Sequence, residues 1–486
     1  MNKWVRSSVV GLVIIMFVTS CKTSSDAVRS SVKMPASYLR KADTANVSAF
    51  PWDVFYKDST LAGLVTQALD HNLELNISSN QVRLAENQYG RTRRNYLPFA
   101  DVAVNNRLAK FGEYTMDGVG NDDTNRSESV PPDKRIPTPY QEWFAGLVFG
   151  WEADIWGKLS NTRKAALARY RSSREMNHLL STRVVSEVAT NYYELVGLDR
   201  VKEVFEENIK LQKLALELVA IQKAGGKVNQ LAVDQFEAQL LNTKSGIVSV
   251  DQKILETKAK LNLLMGKFPE QMPYDSLMRY DTVRLPALGH PNHLLQNRPD
   301  IRAAELELSA SNLDIKVARA AFYPSITLSG AAGFSAFDIS RWLNPGSAAF
   351  SVASGLSAPL FQRKQIQRLY EASKVKQRIA LTEYEKTLLN AFHEVYVIVA
   401  NFDNLGRQID LKKSEAGVMR RAFNNSNELF SVGYANYLEV ITAQRRMLEV
   451  ELELIHLQTE KLKARALLYR ALGGGWRSSS NETVAN

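Results

Sequence analysis

The chain contains very little cysteine and no long apolar stretch. Its one cysteine is Cys21, so an intramolecular disulfide and a multi-cysteine metal site are both excluded. No run approaches the ~18 consecutive apolar residues that a membrane-spanning helix needs. Any crossing of a membrane by the mature chain must therefore use strands.

Sequence signatures of catalysis are also missing. Neither a G-x-S-x-G elbow nor a phosphate-binding loop occurs, and only His290 and His293 have the spacing of metal ligands. These two histidines lie in a proline-containing segment without a nearby carboxylate or cysteine, which argues against a zinc site. We therefore predict that the protein is not an enzyme and needs no metal or cofactor.

The charge balance is basic, with 61 lysines and arginines against 51 acidic residues. The basic residues are spread among acidic neighbours, and no zinc-finger spacing or aromatic RNA-binding motif occurs, so no nucleic-acid partner is expected. The sharpest basic cluster is Arg91, Arg93 and Arg94. We expect these arginines at a helix end, close to carbonyl dipoles and to the anionic head groups of a membrane.

The N-terminus has the features of a lipoprotein signal peptide. Residues 1–20 contain Lys3 and Arg6, then an apolar run, and they end immediately before Cys21. The segment Val18–Cys21 is similar to a bacterial lipobox, in which the cysteine is lipidated, and acyl chains on Cys21 would hold the protein on a membrane. An ordinary secretory signal with an incidental cysteine is the alternative. Lys22 stands where an aspartate would retain a lipoprotein in the inner membrane, so we expect the outer membrane.

Four segments alternate between apolar and polar residues, as strands with one wet face do. They lie at about 97–110, 142–152, 323–336 and 347–358. Their length suits tilted membrane strands, but four strands are too few to close a barrel and open edges are not tolerated in lipid. Three chains would supply twelve strands. A soluble four-stranded sheet packed on helices is the alternative. The polar segment 116–140 is predicted to be an exposed loop.

Helical patterns cover about 61–94, 158–224 and 363–430. A helix of roughly 65 residues is about 100 Å long, which exceeds the diameter of a globular domain. Apolar residues that step by three and four predict coiled-coil seams: Leu388, Phe392, Val395, Val399, Phe402, Gly406 and Ile409, and then Leu448, Leu452, Ile455, Thr459, Leu462, Ala466 and Tyr469.

The chain is internally duplicated. A helix, a proline and a strand follow one another at Pro98 and again at Pro324, and Gly225–Gln235 matches Ser431–Thr442. Similarity at so long a period indicates two equivalent halves. The predicted organisation is a signal peptide at 1–20, a lipidated segment at 21–60, a first repeat at 61–266, a linker at 267–297, a second repeat at 298–472 and a tail at 473–486.

Five phrases in the same order resemble the TolC-type outer-membrane efflux family, specifically its lipoprotein branch called NodT. They are W-E-A-D-I-W-G-K (151–158), Q-N-R (296–298), R-P-D-I-R-A-A-E (298–305), F-Y-P-S-I-T-L-S-G (322–330) and A-L-G-G-G-W (471–476). The resemblance covers about 53–476. It implies a mostly α protein with membrane β-strands, a homotrimer whose shared twelve-stranded barrel continues into a coiled-coil helical tunnel across the periplasm.

The same resemblance implies a function and partners. The trimer would be the passive outer-membrane exit duct of a tripartite efflux pump for drugs or other small molecules. It would dock on a periplasmic adaptor protein and an inner-membrane transporter, commonly of the resistance-nodulation-division class. Two alternatives stay open: the exit duct of a type I protein secretion system, and a lipid-tethered structural trimeric coiled coil.

The tips of the two long helical hairpins are marked by Gly225–Gly226 and Gly433, because glycine accepts the left-handed backbone that ends a helix. By the resemblance, Glu439 occupies the position of the first aspartate of the periplasmic entrance ring. Thr442 occupies the position of the second, so one acidic ring of two is kept. The alternative for Glu439 is a solvated glutamate at a helix start.

The family's ionic latch at this entrance is not kept in the chain. By the resemblance, its tyrosine falls on Phe430, its arginine on Ala435 and its first-half aspartate on Ala232. None of these side chains can form the latch. Hydrogen bonds from Asp234, Gln235 or Asn436 are the remaining candidates.

Overall fold

The computed structural model describes residues 50–271 and 284–478, together with 30, 32, 34–39 and 47. The predicted signal peptide and Cys21 lie outside the described residues, as does the part of the predicted linker at 272–283. The elements in chain order are α1 (Trp52–Phe55), α2 (Ser59–His71), α3 (Leu73–Arg94), β1 (Phe99–Ala109), α4 (Met116–Arg126), β2 (Tyr140–Ala153), α5 (Lys158–Ala224), α6 (Gln230–Leu264), α7 (His293–Asn297), α8 (Pro299–Ala320), β3 (Ser325–Ala336), β4 (Ala348–Ser357), α9 (Arg363–Ser431) and α10 (Tyr437–Ala471).

The four strands form one antiparallel sheet in the order β1-β2-β3-β4. The β2–β3 pair joins the two halves of the chain, and β1 and β4 form the two edges. The prediction of four strands per chain is confirmed. None of the helices in the described ranges is both long and apolar enough to cross a membrane.

Two local predictions were wrong. The helix expected over 61–94 is interrupted at Asn72, whose side chain accepts from the Leu75 amide at 3.0 Å and donates to the Leu264 carbonyl at 2.9 Å. The polar segment expected to be a loop contains α4, which is capped by the Thr115 hydroxyl at 3.1 Å from the Gly118 amide. Helix α4 buries none of its residues, so its hydrophilic sequence fits an exposed position.

The long helices form two hairpins that pack side by side. Helices α5 and α6 form one hairpin, α9 and α10 the other, and α5 contacts α10 between them. Helices α6 and α9 therefore lie at the two outer sides. Most of the predicted seam residues are buried, including Leu388, Val395 and Val399 on α9 and Leu462 and Tyr469 on α10, whereas Phe392 and Leu452 are half-buried.

The main core lies where the hairpins meet α2 and the C-terminal residues. The Phe55 ring stacks on Tyr469 at 4.0 Å, and the Tyr469 hydroxyl donates to the Phe50 carbonyl at 2.6 Å. The predicted tail begins inside this core. A Cβ on Gly473 would lie 2.6 Å from the carbonyl carbon of Asn297, and Gly473 has a φ of 95°.

Arg298 ties the second repeat together. Its guanidinium donates to Asp300, to Glu394 at 2.7 Å and to the Ala471 carbonyl at 2.7 Å, and so joins α8, α9 and the end of α10. Burial alone would lower the pKa of this guanidinium, but the hydrogen bonds and charges of Asp300 and Glu394 outweigh burial and raise the pKa. The R-P-D phrase of the sequence therefore has a structural role: through Arg298 it holds α8, α9 and the end of α10 together, and we call this set of contacts the clasp.

Candidate functional site

The sheet has two chemically different faces. The strand register places alternate residues of all four strands on one side, and most of the large residues there are apolar. We call this side the apolar face: Val102, Val104, Leu108, Leu147, Phe149, Trp151, Ile326, Leu328, Phe334, Phe350, Val352 and Leu356. Many of them are exposed, with Val102 at 78% and Phe350 at 85%.

The opposite side, the polar face, carries small, hydroxyl and charged residues. Its members include Asp101, Asn105, Arg107, Glu142, Glu152, Thr327, Ser329, Ser335, Ser351 and Ser357, with Phe99, Phe144 and Val148 as large apolar residues. Arg107 and Glu142 face each other directly across β1 and β2. A sheet with an apolar side and a polar side is the arrangement of membrane strands that face lipid outside and water inside.

Aromatic residues flank the strands at both ends. At the end nearest the helices, Trp156 stacks on Tyr323 at 4.7 Å, and the Trp151 indole donates to the Tyr96 carbonyl at 3.3 Å. At the loop end, the Trp143 and Trp342 rings lie 5.8 Å apart and Phe111 packs near Tyr140 at 5.9 Å. Two aromatic belts of this kind mark the two membrane interfaces of strand-built channels.

The hairpin tips have matching backbone geometry in the two halves. Gly226 and Gly433 adopt φ values of 73° and 89°, in the left-handed region that glycine tolerates best. Each is followed by an asparagine cap: Asn229 accepts from the Ala232 amide at 3.2 Å, and Asn436 accepts from the Leu438 amide at 3.3 Å. The duplication seen in the sequence therefore extends to the turns.

An apolar cluster joins the two hairpins next to these turns. It contains a residue or more from each of the four long helices: Val219, Ala232, Phe236, Phe430 and Val440. We call it the tip cluster. Phe430 and Ala232, which the sequence resemblance aligns with two positions of the family's ionic latch, are both buried in it. Apolar packing within one copy occupies these positions in this chain.

The polar candidates lie outside the tip cluster. Glu439 is exposed in the first turn of α10, and Thr442 is exposed one turn later, with its hydroxyl donating to the Leu438 carbonyl at 2.7 Å. Within the described chain Glu439 forms no ion pair. Asp234 is also exposed, but it accepts from Gln230 of its own helix at 2.6 Å and so does not link the hairpins.

Sequence reasoning missed a buried polar layer between α5 and α10. Gln212 and Gln444 are each 1% exposed, and their amide atoms have no hydrogen-bond partner, nor does Oδ1 of Asn208. These residues separate the tip cluster from a second apolar cluster that contains Val204 and Leu448. Amide residues at seam positions are the sequence feature that would have predicted this layer.

The histidine pair does not form a metal centre of the usual kind. The His290 amide lies 3.3 Å from Nδ1 of His293, and the Asn292 amide lies 3.2 Å from Nδ1 of His290. Among the residues that the structure describes, no group of three or more His, Cys, Asp or Glu side chains could hold a metal ion.

Comparison with known proteins agrees with this geometry. The family described as "Outer membrane efflux protein" matches residues 64–267 and 290–474. The solvent efflux pump outer membrane protein SrpC of Pseudomonas putida is 28% identical over 431 residues, which is 88% of each chain. The cation efflux system protein CusC of Escherichia coli K12 is 26% identical over 472 residues, or 95% of this chain and 98% of the relative.

Solved structures share the fold. A crystal structure of CusC has a TM-score of 0.80 at 25% identity and covers 92% of this chain and 98% of its own. The open state of the Neisseria gonorrhoeae MtrE outer membrane channel also has a TM-score of 0.80, at 21% identity, with 93% and 97% of the two chains covered. Since the family match includes both repeats and most of the chain, this protein belongs to the outer membrane efflux protein family.

Proposed function

We propose that three copies of this chain form the outer-membrane exit duct of a tripartite efflux pump, anchored by a lipidated Cys21. The observation that carries the proposal is the sheet with unlike faces, which continues directly into helical hairpins of about 35 to 69 residues per helix. A duct needs an outer surface for lipid, an inner surface for water and a long extension toward the inner membrane.

The unpaired edges of the sheet support a closed assembly of several copies. Strands β1 and β4 each have a strand partner on one side alone, and an unpaired edge is unfavourable in lipid because its backbone groups lack hydrogen bonds. Four strands are too few to enclose their own side chains. When β4 of one copy pairs with β1 of the next, three copies close a sheet of twelve strands.

The outer helices support the same closure. On α6, Leu241, Val248 and Leu255 are exposed at seven-residue spacing, and α9 carries exposed Val397, Leu411 and Val418 at multiples of seven. Apolar stripes at this spacing are the seams of coiled coils. Since α6 and α9 lie at opposite sides of one copy, each can pair with the other helix of a neighbour around a ring.

Threefold symmetry would turn Glu439 into a ring of three carboxylates at the entrance. At a separation of ~6 Å and an effective dielectric of ~20, each pair repels by roughly 3 kcal/mol. Such a ring attracts cations, and we propose Glu439 as the selectivity residue, with Thr442 on the same helix face. The tip cluster with Phe430 and Ala232 would hold the hairpins together in place of an ionic latch.

The partners are proposed from the relatives. SrpC is the outer membrane protein of a solvent efflux pump, and CusC belongs to a cation efflux system. We propose a periplasmic adaptor and a resistance-nodulation-division transporter as partners, a small-molecule cargo selected by the transporter, and no catalytic activity in this chain.

Planar-bilayer conductance of the detergent-solubilised protein, with its mass measured in the same detergent, tests the proposal. We expect a trimer with small, cation-selective currents of low open probability. A monomer, or a protein without current at any voltage, would leave a lipid-tethered coiled coil as the better account.

A further inference from the structure

The end of the sheet that joins the helices carries two clusters of basic side chains, one at each edge. The first cluster lies in the last turn of α3, just before β1, and the second lies in the first turns of α9, just after β4. We call these side chains the rim cations: Arg91, Arg93, Arg94, Arg363, Lys364 and Arg368. All six are exposed, and none forms an ion pair or side-chain hydrogen bond within the described chain.

Two of the cations beside the central strands have partners. At the same end of the sheet, Lys158 forms an ion pair with Glu152 at 3.0 Å, and Arg319 donates to the Tyr370 hydroxyl at 3.2 Å. Arg163, Lys164 and Lys316 beside the central strands also form no ion pair in the described chain, so the edges differ in number, with three unpaired cations grouped at each. This grouping favours the edges as the place of an anionic partner.

Closure of the trimer, on which this inference rests, brings the two clusters together. When β4 of one copy lies beside β1 of the next, the end of α3 and the start of α9 from different copies meet at the same junction. The nearest carboxylates on those segments are Glu86 and Asp101, since Glu371 pairs with Lys374 at 3.2 Å. Six cations against two carboxylates leave each junction with an excess of four positive charges, which calls for an anion.

The residues between the rim cations and the strands indicate which anion. Leu97, Leu360 and Phe361 are exposed at 60%, 78% and 99%. Exposed aliphatic and aromatic groups directly beside basic ones fit the boundary between acyl chains and head groups. A dissolved phosphate ion would use the charges and leave the apolar groups in water, whereas a phospholipid uses both.

We propose that the rim cations of adjacent copies bind the head-group phosphates of anionic phospholipids in the periplasmic leaflet, one site at each subunit junction. Leu97, Leu360 and Phe361 contact the acyl chains of the same lipids. The bound lipid would stabilise the contact between neighbouring copies at the junction of the sheet and the helices.

Native mass spectrometry of the purified full chain in detergent tests the site. The probes are dioleoyl phosphatidylglycerol and dioleoyl phosphatidylcholine, each alone and with inorganic phosphate. One variant carries Arg91→Gln, Arg93→Gln and Arg94→Gln, and a second carries Arg363→Gln, Lys364→Gln and Arg368→Gln. The control carries Lys210→Gln, Lys213→Gln and Lys253→Gln, which remove the same charge from exposed hairpin positions.

We expect the trimer to retain about three phosphatidylglycerols, and each rim variant to lower that retention about tenfold or more, since it removes three of the six cations that attract the anionic head group at each junction. The control variant and phosphatidylcholine binding should not change. Equal retention of the two lipids, equal retention by the rim variants, or displacement by inorganic phosphate would overturn the lipid site. Conductance and mass from the same samples separate the cases: an intact conducting trimer without lipid preference contradicts this inference alone, whereas a non-conducting monomer contradicts the proposed duct.

Discussion

Single residues carry more of the architecture than the composition suggests. Arg298 belongs to the R-P-D-I-R-A-A-E phrase, and its hydrogen bonds to Asp300, Glu394 and the Ala471 carbonyl give that phrase a physical reason. The glycines after Ala471 have a similar basis, because a side chain at Gly474 would overlap the Tyr469 ring. The pattern of letters was visible in the sequence, but the partners 96 and 173 residues away were not.

Removal of Arg298 should destabilise the second repeat. Arg298→Met leaves Asp300 and Glu394 without their shared cation, and breaking a buried ion pair on one side costs about 3 kcal/mol or more. We expect a lower midpoint in thermal unfolding followed by circular dichroism at 222 nm. Arg378→Met, at an exposed site on α9, is the control. Equal midpoints for the two variants would show that the clasp contributes little.

Buried phenols should make the fold sensitive to alkali. Burial raises the pKa of the Tyr193 phenol to about 12, and Arg465 lowers it by less. Because the pKa of Tyr193 in the folded state lies above its ordinary value, the stability that depends on the protonated phenol is complete below about pH 10. That stability is lost as the pH rises toward 12.

The Tyr193→Phe variant should therefore lose less stability than the parent chain between pH 10 and pH 12, by up to about 2 to 3 kcal/mol for a shift of about two pH units. Unfolding midpoints across that range provide the measurement. Tyr434→Phe makes the same chemical change at an exposed site and should leave the pH profile unchanged. If the unfolding midpoint of Tyr193→Phe fell with pH in parallel with that of the parent chain, the raised pKa of Tyr193 would be contradicted.

At the scale of elements, the sequence predicted the strands and helical seams from their apolar periodicity and the hairpin turns from their glycines. The strands showed a period of two, the seams a spacing of three and four, and the hairpin turns at Gly226 and Gly433 showed their glycines. The break at Asn72 escaped prediction, because it depends on the distant Leu264 carbonyl. Helix α4 escaped because short hydrophilic helices and loops have similar composition.

The hairpin turns were predicted correctly, but the packing beside them was not, and the role of this end as a pore entrance stays a prediction. The turns and the exposed Glu439 follow from the sequence, whereas the burial of Phe430 with Val219 and Phe236 depends on how two hairpins meet. The burial of the Gln212 and Gln444 amides was not predicted from the sequence for the same reason. A polar residue at a seam position can face solvent or the partner helix, and only packing decides which.

The buried amide layer should be a weak point of the α5–α10 contact. Gln212→Leu with Gln444→Leu replaces unpaired amides by apolar groups of similar size, and an unsatisfied buried polar group costs ~1–3 kcal/mol. We expect a higher midpoint of thermal unfolding for the double variant. Gln67→Leu, at an exposed position on α2, should have a negligible effect. A lower midpoint in the double variant would indicate that the amides have partners in the assembled protein.

At the scale of the whole molecule, the proposed duct depends on the threefold closure of three chains, which converts single side chains into rings. Glu439→Ala should raise the leak conductance and lower the preference for cations in planar bilayers, because it removes three carboxylates from the entrance at once. Glu217→Ala removes a carboxylate from an exposed position on α5 two turns from the hairpin turn and is the control. Unchanged ion selectivity in the Glu439→Ala channel would remove this residue from the pore.

Cysteine cross-linking between β1 and β4 in outer membranes tests threefold closure most directly. Within one copy these strands are separated by β2 and β3, about 14 Å at ~4.8 Å per strand, so a disulfide between them must join different copies. Ala103→Cys on the polar face of β1 would be combined in turn with Ser351→Cys, Ala353→Cys and Gly355→Cys on β4. A control pairs Ala103→Cys with Ala331→Cys on the internal strand β3. Threefold closure predicts covalent dimers and trimers for at least one β1–β4 combination and none for the control; monomers for every combination would contradict the closed duct.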